Sequence, residues 1–386
     1  MEIPKTADFV VVGGGSIGTS IAYHLARKKV GTVALFEKDE LAAGSTGRAA
    51  GLITQQHGDE FHVRLARESV GFFEWMAQQP RFGLRFHQTG YMHLLFTQEE
   101  MSFARRKQGL WRRLDVDVHI LSPEEAKEAL PGLNVEDVLG AMNCPRDGYT
   151  DPHLATVGFA DLAKEEGASV HVGAGVVGLE MQGDRVTGVR TAAGTVATPL
   201  VVDAAGPWAA EVSRMAGVDV PVRPFRRHLW FTRSTPEVGE EAPILFDTYH
   251  DFYFRREGEG VLMCLGDPRE GSSFITDVDW PFAEKVAEYA TYRFPPFEDS
   301  QLVSAWAAPR DITPDHDAIL GPVPGVEGLI VAAGHSGHGF MLSPAVGRMM
   351  ADYIVDGHSE PDIAPLTFDR FAGREWPLES YAATGV

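Results

Sequence analysis

The stretch Phe9-Val10-Val11-Val12-Gly13-Gly14-Gly15-Ser16-Ile17-Gly18 decides the fold. Its four apolar residues read as a buried strand, and the glycines follow without a break. Residues 19–29 carry a helical pattern, with Ile21, Ala22, Leu25 and Ala26 on one face. Thr32-Val33-Ala34-Leu35-Phe36 reads as a second buried strand. Glu37 closes it, about 20 residues beyond the last glycine, where an acid accepts hydrogen bonds from ribose hydroxyls. Strand, glycine turn, helix, strand and acid in that order describe a dinucleotide-binding βαβ unit. The glycines let the backbone turn tightly and approach a pyrophosphate, and the helix start offers its free N–H groups to that charge. A bare glycine turn can also serve a strand-to-helix corner that only needs flexible residues.

The bulk properties bound the rest. A chain of 386 residues can bury a large core in two or three domains. Its net charge of −20 argues against nucleic acid and against an anionic membrane surface. Cys144 and Cys264 are too few for a metal cluster, and a reduced cytoplasmic protein is the expectation. Neither a signal peptide nor a bilayer-spanning apolar run is read in the sequence.

The pattern changes character along the chain. Residues 61–78 and 98–114 read as helices with long charged side chains, and 90–96 alternates like a strand. Residues 151–166 read as a helix, 169–172 as a strand and 175–190 as a hairpin turning at Gly183-Asp184. Residues 216–310 are rich in strands and aromatics. The expected class is α/β: a Rossmann-like nucleotide-binding domain with an inserted α+β substrate domain on a largely antiparallel sheet. Residues 1–60, 145–215 and 311–386 are assigned to the first, and 61–144 and 216–310 to the second. The site is expected where the two meet.

Four anchors point further: the first glycine motif, Gly44-Ser45-Thr46-Gly47-Arg48-Ala49-Ala50-Gly51, Val201-Val202-Asp203-Ala204-Ala205-Gly206-Pro207-Trp208 and Gly334-His335-Ser336-Gly337-His338-Gly339-Phe340-Met341. With them the chain resembles, over nearly its whole length, the D-amino-acid oxidase and sarcosine oxidase family of FAD-dependent amine oxidoreductases. Within that family it looks most like glycine oxidases, sarcosine oxidase β subunits and amino-acid dehydrogenase subunits. The resemblance implies FAD held by Gly13, Gly15, Ser16, Ile17, Gly18, Glu37 and Lys38. The second run adds Ser45, Thr46, Arg48, Ala50, Gly51 and Leu52, with Ser45 and Thr46 offering hydroxyls to the pyrophosphate. Val176 is implied at the adenine end, and Ala205, Gly206 and Trp208 beside the dinucleotide. Gly334, Gly337, His338, Gly339, Phe340 and Met341 are implied along the flavin. In that last segment 329–333 reads as a strand, 334–341 as a loop, and Ser343-Pro344 as the cap and first residue of a helix running to about residue 355.

Arg310 falls where glycine oxidases and their relatives place an arginine on the substrate carboxylate, which a guanidinium fork matches. The alternative is an ion pair with Asp311 or Asp315. Tyr253 resembles the family's active-site tyrosine, or is an aromatic on an alternating strand. Arg48 is the third catalytic candidate, touching substrate or flavin, or else backbone carbonyls. His335 reads as a local packing residue, and His338 is open between packing and catalysis. Metal is not implied.

Some relatives attach flavin through a cysteine near the last anchor, but none follows Cys264; others use a histidine where this chain has Arg48. Non-covalent FAD is therefore expected. Monomeric sarcosine oxidases carry a lysine that activates oxygen on a substrate-domain strand, and the comparable stretch 262–266 has none, which puts oxygen in doubt as acceptor. The resemblance implies oxidation at the C–N bond of an amino acid or N-substituted amino acid of the sarcosine, glycine or proline kind. The hydride would go to flavin N5, and the imine left behind would hydrolyse. Electrons would pass to oxygen or to a partner subunit. The alternatives are a dehydrogenase subunit and a redox-inactive flavoprotein of complex assembly.

Overall fold

The computed structural model describes residues 3–371. Residues 1–2 and 372–386, assigned above to the nucleotide-binding domain, lie outside the described residues.

The apolar runs form a six-stranded sheet in the order Ile319–Pro322, Leu329–Ala333, Val201–Asp203, Phe9–Val12, Val33–Phe36, Ser169–His171. All neighbours are parallel except the Ile319–Pro322 edge. Parallel strands are covered on both faces, which is why these segments read as continuous apolar runs. Val11, Leu35 and Val202 point to one face, packed by helices Ser16–Arg27, Pro152–Glu165 and Gly339–Asp356. Val10, Val12, Phe36 and Val201 point to the other, packed by the antiparallel strands Val176–Gln182, Arg185–Thr191 and Gly194–Ala197. The helices Ser16–Arg27 and Gly339–Asp356 cross closely: a side chain at Gly347 would overlap Ser20.

The second sheet has eight strands: Leu302–Ile312, Arg223–Thr232, Gly260–Leu265, Phe252–Glu257, Ile244–Asp247, Tyr91–Leu95, Gly140–Cys144 and His119–Leu121. Only the Ile244–Asp247 and Tyr91–Leu95 pair is parallel. The register sets His93 beside Phe246, Phe246 beside Tyr253, and Tyr253 beside Cys264. His93, Phe246 and Tyr253 of that row line the same cavity as Val12 and Gly13 at the end of the first parallel strand. The α/β class, with one parallel and one largely antiparallel sheet, is the one the sequence leads us to expect.

Two local readings differ. Helix Glu60–Ala77 buries Leu65, Ala66, Val70, Phe73 and Met76 in the core of the parallel sheet. Arg348 of the last helix pairs with its Glu68. Its apolar stripe thus groups residues 60–77 with the nucleotide sheet, not with the segment 61–144 in which composition places them. The last helix also starts at Gly339, not after Ser343. Pro344 lies inside it and cannot donate to the Phe340 carbonyl, four residues back. The Ser343 hydroxyl donates to that carbonyl instead, at 2.8 Å.

Candidate active site

A cavity of about 790 Å³ opens at the carboxyl ends of the parallel strands and runs beneath the second sheet. That volume suits a large cofactor with a small ligand. At one end the first strand turns into helix Ser16–Arg27. Gly13 sits at φ +110, and a side chain there would overlap the Ala204 carbonyl. A Cβ on Gly15 would meet Thr46 Oγ1 at 3.1 Å. The N-cap residue of the helix supplies no side-chain cap, so the N–H groups that follow Ser16 remain available to an anion from the cavity. Gly13, Gly15, Ser16, Ile17, Glu37 and Lys38 all line this end. A helix start with free N–H groups, a wall free of side chains and an acid at the next strand's end fit the pyrophosphate and ribose of a dinucleotide.

The side chains refine this picture. Glu37 turns its carboxylate to Gly14 N at 2.6 Å and Asp39 N at 2.9 Å, closing the glycine turn. Thr46 Oγ1 accepts from Ser16 N at 3.3 Å. The Ser45 hydroxyl, expected to donate to the pyrophosphate, donates to the Pro309 carbonyl. Lys38 Nζ lies 3.5 Å from the centroid of the Trp208 ring, and Phe274 stacks on that indole at 5.3 Å. Val176, Ala205 and Gly206 share that wall, and Arg48, Ala50, Gly51 and Leu52 continue it. Gly18 and Gly334 do not line the cavity. A side chain at Gly18 would strike the Gly13 carbonyl, and one at Gly334 would strike Thr313, so both are packing glycines.

The strand Leu302–Ile312 delivers Arg310 to the opposite end, and the next residue ties down the last anchor. Asp311 Oδ2 accepts from Gly334 N at 2.8 Å and His335 N at 3.0 Å, and the Asp311 carbonyl accepts from Ser336 N at 2.9 Å. Burial works to raise the Asp311 carboxyl, but His335 beside it holds it below the usual range. Arg310 Nη2 donates to the Ser336 carbonyl at 2.7 Å. Asp315 pairs with Arg370 at 2.7 Å. Gly337, His338, Gly339, Phe340 and Met341 then line the cavity with Arg310. His335 lines it too, with its Nδ1 3.7 Å from Asp311. His338 has its affinity for a proton pushed well down by burial and by His57 and Arg310 nearby, so its ring is neutral.

Tyr253 lies flat against Phe246, with centroids 5.7 Å apart, and burial keeps its hydroxyl protonated. Arg48 lines the cavity, its carbonyl accepts Trp306 Nε1 at 3.0 Å, and its guanidinium makes no ion pair among the described residues. Sequence reading missed Arg227 and Asp251, which form an ion pair on the cavity wall. Asp251 holds φ +53, and a side chain at Gly266 would overlap its carboxylate. The pair is 24 residues apart and meets only across the folded sheet, so no local motif marks it. Also missed were Gln56, His57, Tyr91 and His93, again lining residues. A glutamine and histidine beside the second glycine run were the one available signal. Among the described residues no cluster suits a metal ion, and no helix is long and apolar enough to cross a membrane.

A nucleotide cradle and Arg310 thus line one cavity. Residues 8–353 match the family of FAD dependent oxidoreductases, and the chain belongs to that family. It is 30% identical to the mitochondrial sarcosine dehydrogenase of Mus musculus over 96% of this chain and 42% of that protein. It is 29% identical to the mitochondrial dimethylglycine dehydrogenase of Rattus norvegicus over 98% of this chain and 46% of that protein. The chain thus spans less than half the length of these curated relatives. Among solved structures, an L-proline dehydrogenase from P.horikoshii shares 32% identity at a TM-score of 0.89, covering 96% of this chain and 98% of that one. A glycine oxidase from Geobacillus kaustophilus shares 28% at 0.83, covering 96% and 100%. The chain thus carries the FAD dependent oxidoreductase domain, and two amino-acid dehydrogenases, a proline dehydrogenase and a glycine oxidase are among the proteins it resembles.

Proposed function

We propose that this chain oxidises the C–N bond of an amino acid or N-substituted amino acid of the sarcosine, glycine or proline kind. The observation that carries the reading is Arg310: a guanidinium anchored on the Ser336 carbonyl in the same cavity as the nucleotide cradle. The arginine grips the substrate carboxylate and sets the distance of the α-carbon from the cofactor. Tyr253 walls the substrate, and its hydroxyl, kept protonated by burial, offers a hydrogen bond and not a proton. Burial, together with the cation of Arg310, favours the neutral amine from which the α-hydrogen leaves. FAD supplies the hydride acceptor when bound. Gly13, Gly15, Ser16, Ile17, Glu37 and Lys38 hold its nucleotide half, and the run from Gly337 to Met341 its ring. Its attachment is non-covalent, because Arg48 stands where a histidine would be needed. The stretch 262–266, without a lysine, supports an electron acceptor other than oxygen, such as a partner subunit. Buried, unlinked Cys144 and Cys264 are compatible with the cytoplasm.

Anaerobic addition of sarcosine, glycine, proline and dimethylglycine tests the reading. Bleaching of the flavin absorbance by at least one of them is expected. A flavin that stays oxidised with every amino acid offered overturns it and favours the complex-assembly alternative.

A further inference from the structure

At the cavity end beneath the strand Tyr91–Leu95, three buried polar atoms have no hydrogen-bond partner among the described residues: Gln56 Oε1, His57 Nε2 and His93 Nε2. All three residues line the cavity. Gln56 and His93 are less than one-tenth exposed. The three residues are neighbours. Gln56 Nε2 donates to the Tyr91 carbonyl at 2.7 Å, the Tyr91 and His93 rings stack at 4.7 Å, and His57 is near enough to bear on the charge of His93. Leaving such atoms unmade is costly, and native proteins concentrate them where a ligand completes the set.

The arrangement is rigid. Gln56 Nε2 also donates to Asp147 Oδ2 at 3.1 Å, so both amide hydrogens are committed and Oε1 is left as an acceptor. Asp147 is fully buried and accepts further from Thr54 Oγ1 at 2.8 Å, Gln55 Nε2 at 2.9 Å and Gln55 N at 3.1 Å. His93 is wedged between Tyr91 and Phe246, the latter at 5.4 Å. Burial pushes the His57 ring down to about 4 and the His93 ring to about 3, so both are neutral at pH 7. This end therefore presents a fixed acceptor in Gln56 Oε1, a second in His57 Nε2, whose ring bonds the Thr54 backbone through its other nitrogen, and the uncharged His93 ring, which donates or accepts according to tautomer. The nearby His62, 5.7 Å from the His57 ring, is paired with Asp59 and is not among the lining residues, and an apolar group would leave all three atoms unmade.

We propose that Gln56, His57 and His93 form a second polar subsite, which binds a neutral group that both donates and accepts, a hydroxyl or a carboxamide, on the side chain or N-substituent of the substrate. The proposal rests on reading the cavity as an amino-acid site.

The test is flavin reduction in the anaerobic holoenzyme by size-matched pairs. N-(2-hydroxyethyl)glycine is compared with N-propylglycine, homoserine with norvaline, and asparagine with leucine. In at least one pair the polar member should reduce the flavin at least about tenfold more efficiently. His93→Phe and Gln56→Met should each narrow that ratio to within about threefold, whatever they do to the two values separately. Apolar members equal to or better than their polar partners in every pair overturn the subsite. So does a ratio that neither variant moves while FAD stays bound. If the variants lose FAD, the native ratios decide alone. If no compound reduces the flavin, the oxidation reading fails, and the pairs are compared as inert ligands by perturbation of the flavin spectrum. The same tenfold preference in affinity then supports the subsite, and its absence overturns it.

Discussion

Arg310 Nη2 occupies the space in which any side chain at Gly337 would begin. Gly337 also sits at φ +100, a backbone that L side chains rarely adopt. One glycine thus lets the guanidinium lie across the last anchor, with the Ser336 carbonyl beneath it.

Gly337→Ala should therefore displace Arg310 before it disturbs the nucleotide cradle. The expected outcome is a rise in KM for amino acids of roughly tenfold or more, with flavin content retained. Steady-state kinetics beside the ratio of flavin to protein absorbance checks it. An unchanged KM would show that Arg310 does not set substrate affinity.

Non-covalent FAD should leave the yellow colour in the supernatant after acid precipitation; colour in the pellet sinks that part of the account. Glu37→Lys should weaken FAD binding. It removes the acceptor that holds Gly14 N at 2.6 Å and sets a second cation beside Lys38. Flavin released on dialysis measures the effect.

Asp203 offers a pH prediction. It is fully buried in the cradle strand and accepts from Ala205 N at 3.2 Å and Ser213 Oγ at 3.0 Å. Burial pushes its carboxyl up to about 8, against those two hydrogen bonds. The folded protein then holds a proton that the unfolded chain gives up near 3.8. Its contribution to stability is complete below that lower value and declines as pH rises toward 8. Asp203→Asn keeps both contacts if the Ser213 hydroxyl reverses. It should flatten the fall of the melting temperature between pH 5 and 8, about the range in which the folded and unfolded carboxyls differ. Parallel curves for the two proteins would show that Asp203 does not titrate in this way.

The parts legible in the sequence were those carried by local pattern. Val10 to Val12 and the glycines after them declare strand and turn within ten residues, and Leu329–Ala333 declares its strand equally well. What escaped was long-range or compensated. Ser343-Pro344 reads as a helix start because a proline is expected at one. Only the hydroxyl bond to the Phe340 carbonyl reveals that the helix passes through. The Arg227–Asp251 pair joins a strand to a turn with another strand, Gly260–Leu265, between them in the sheet. Asp147 and Gln56 lie far apart in sequence and meet only when the cavity is built. Glu60–Ala77 carries charges that suggest a peripheral helix, yet its stripe from Leu65 to Met76 enters the main core.

The central claim is that Arg310 grips a substrate carboxylate. The most direct measurement is kcat/KM for the best amino acid and for its uncharged amide, in the native protein and in Arg310→Ala. Losing a charge-assisted bidentate contact costs about 2 to 4 kcal/mol, or roughly thirty- to a thousand-fold. The account predicts that loss for the acid, a much smaller change for the amide, FAD bound throughout, and only partial rescue by Arg310→Lys. An equal fall for the acid and its amide would contradict it, and would turn attention to Arg48 as the carboxylate's partner.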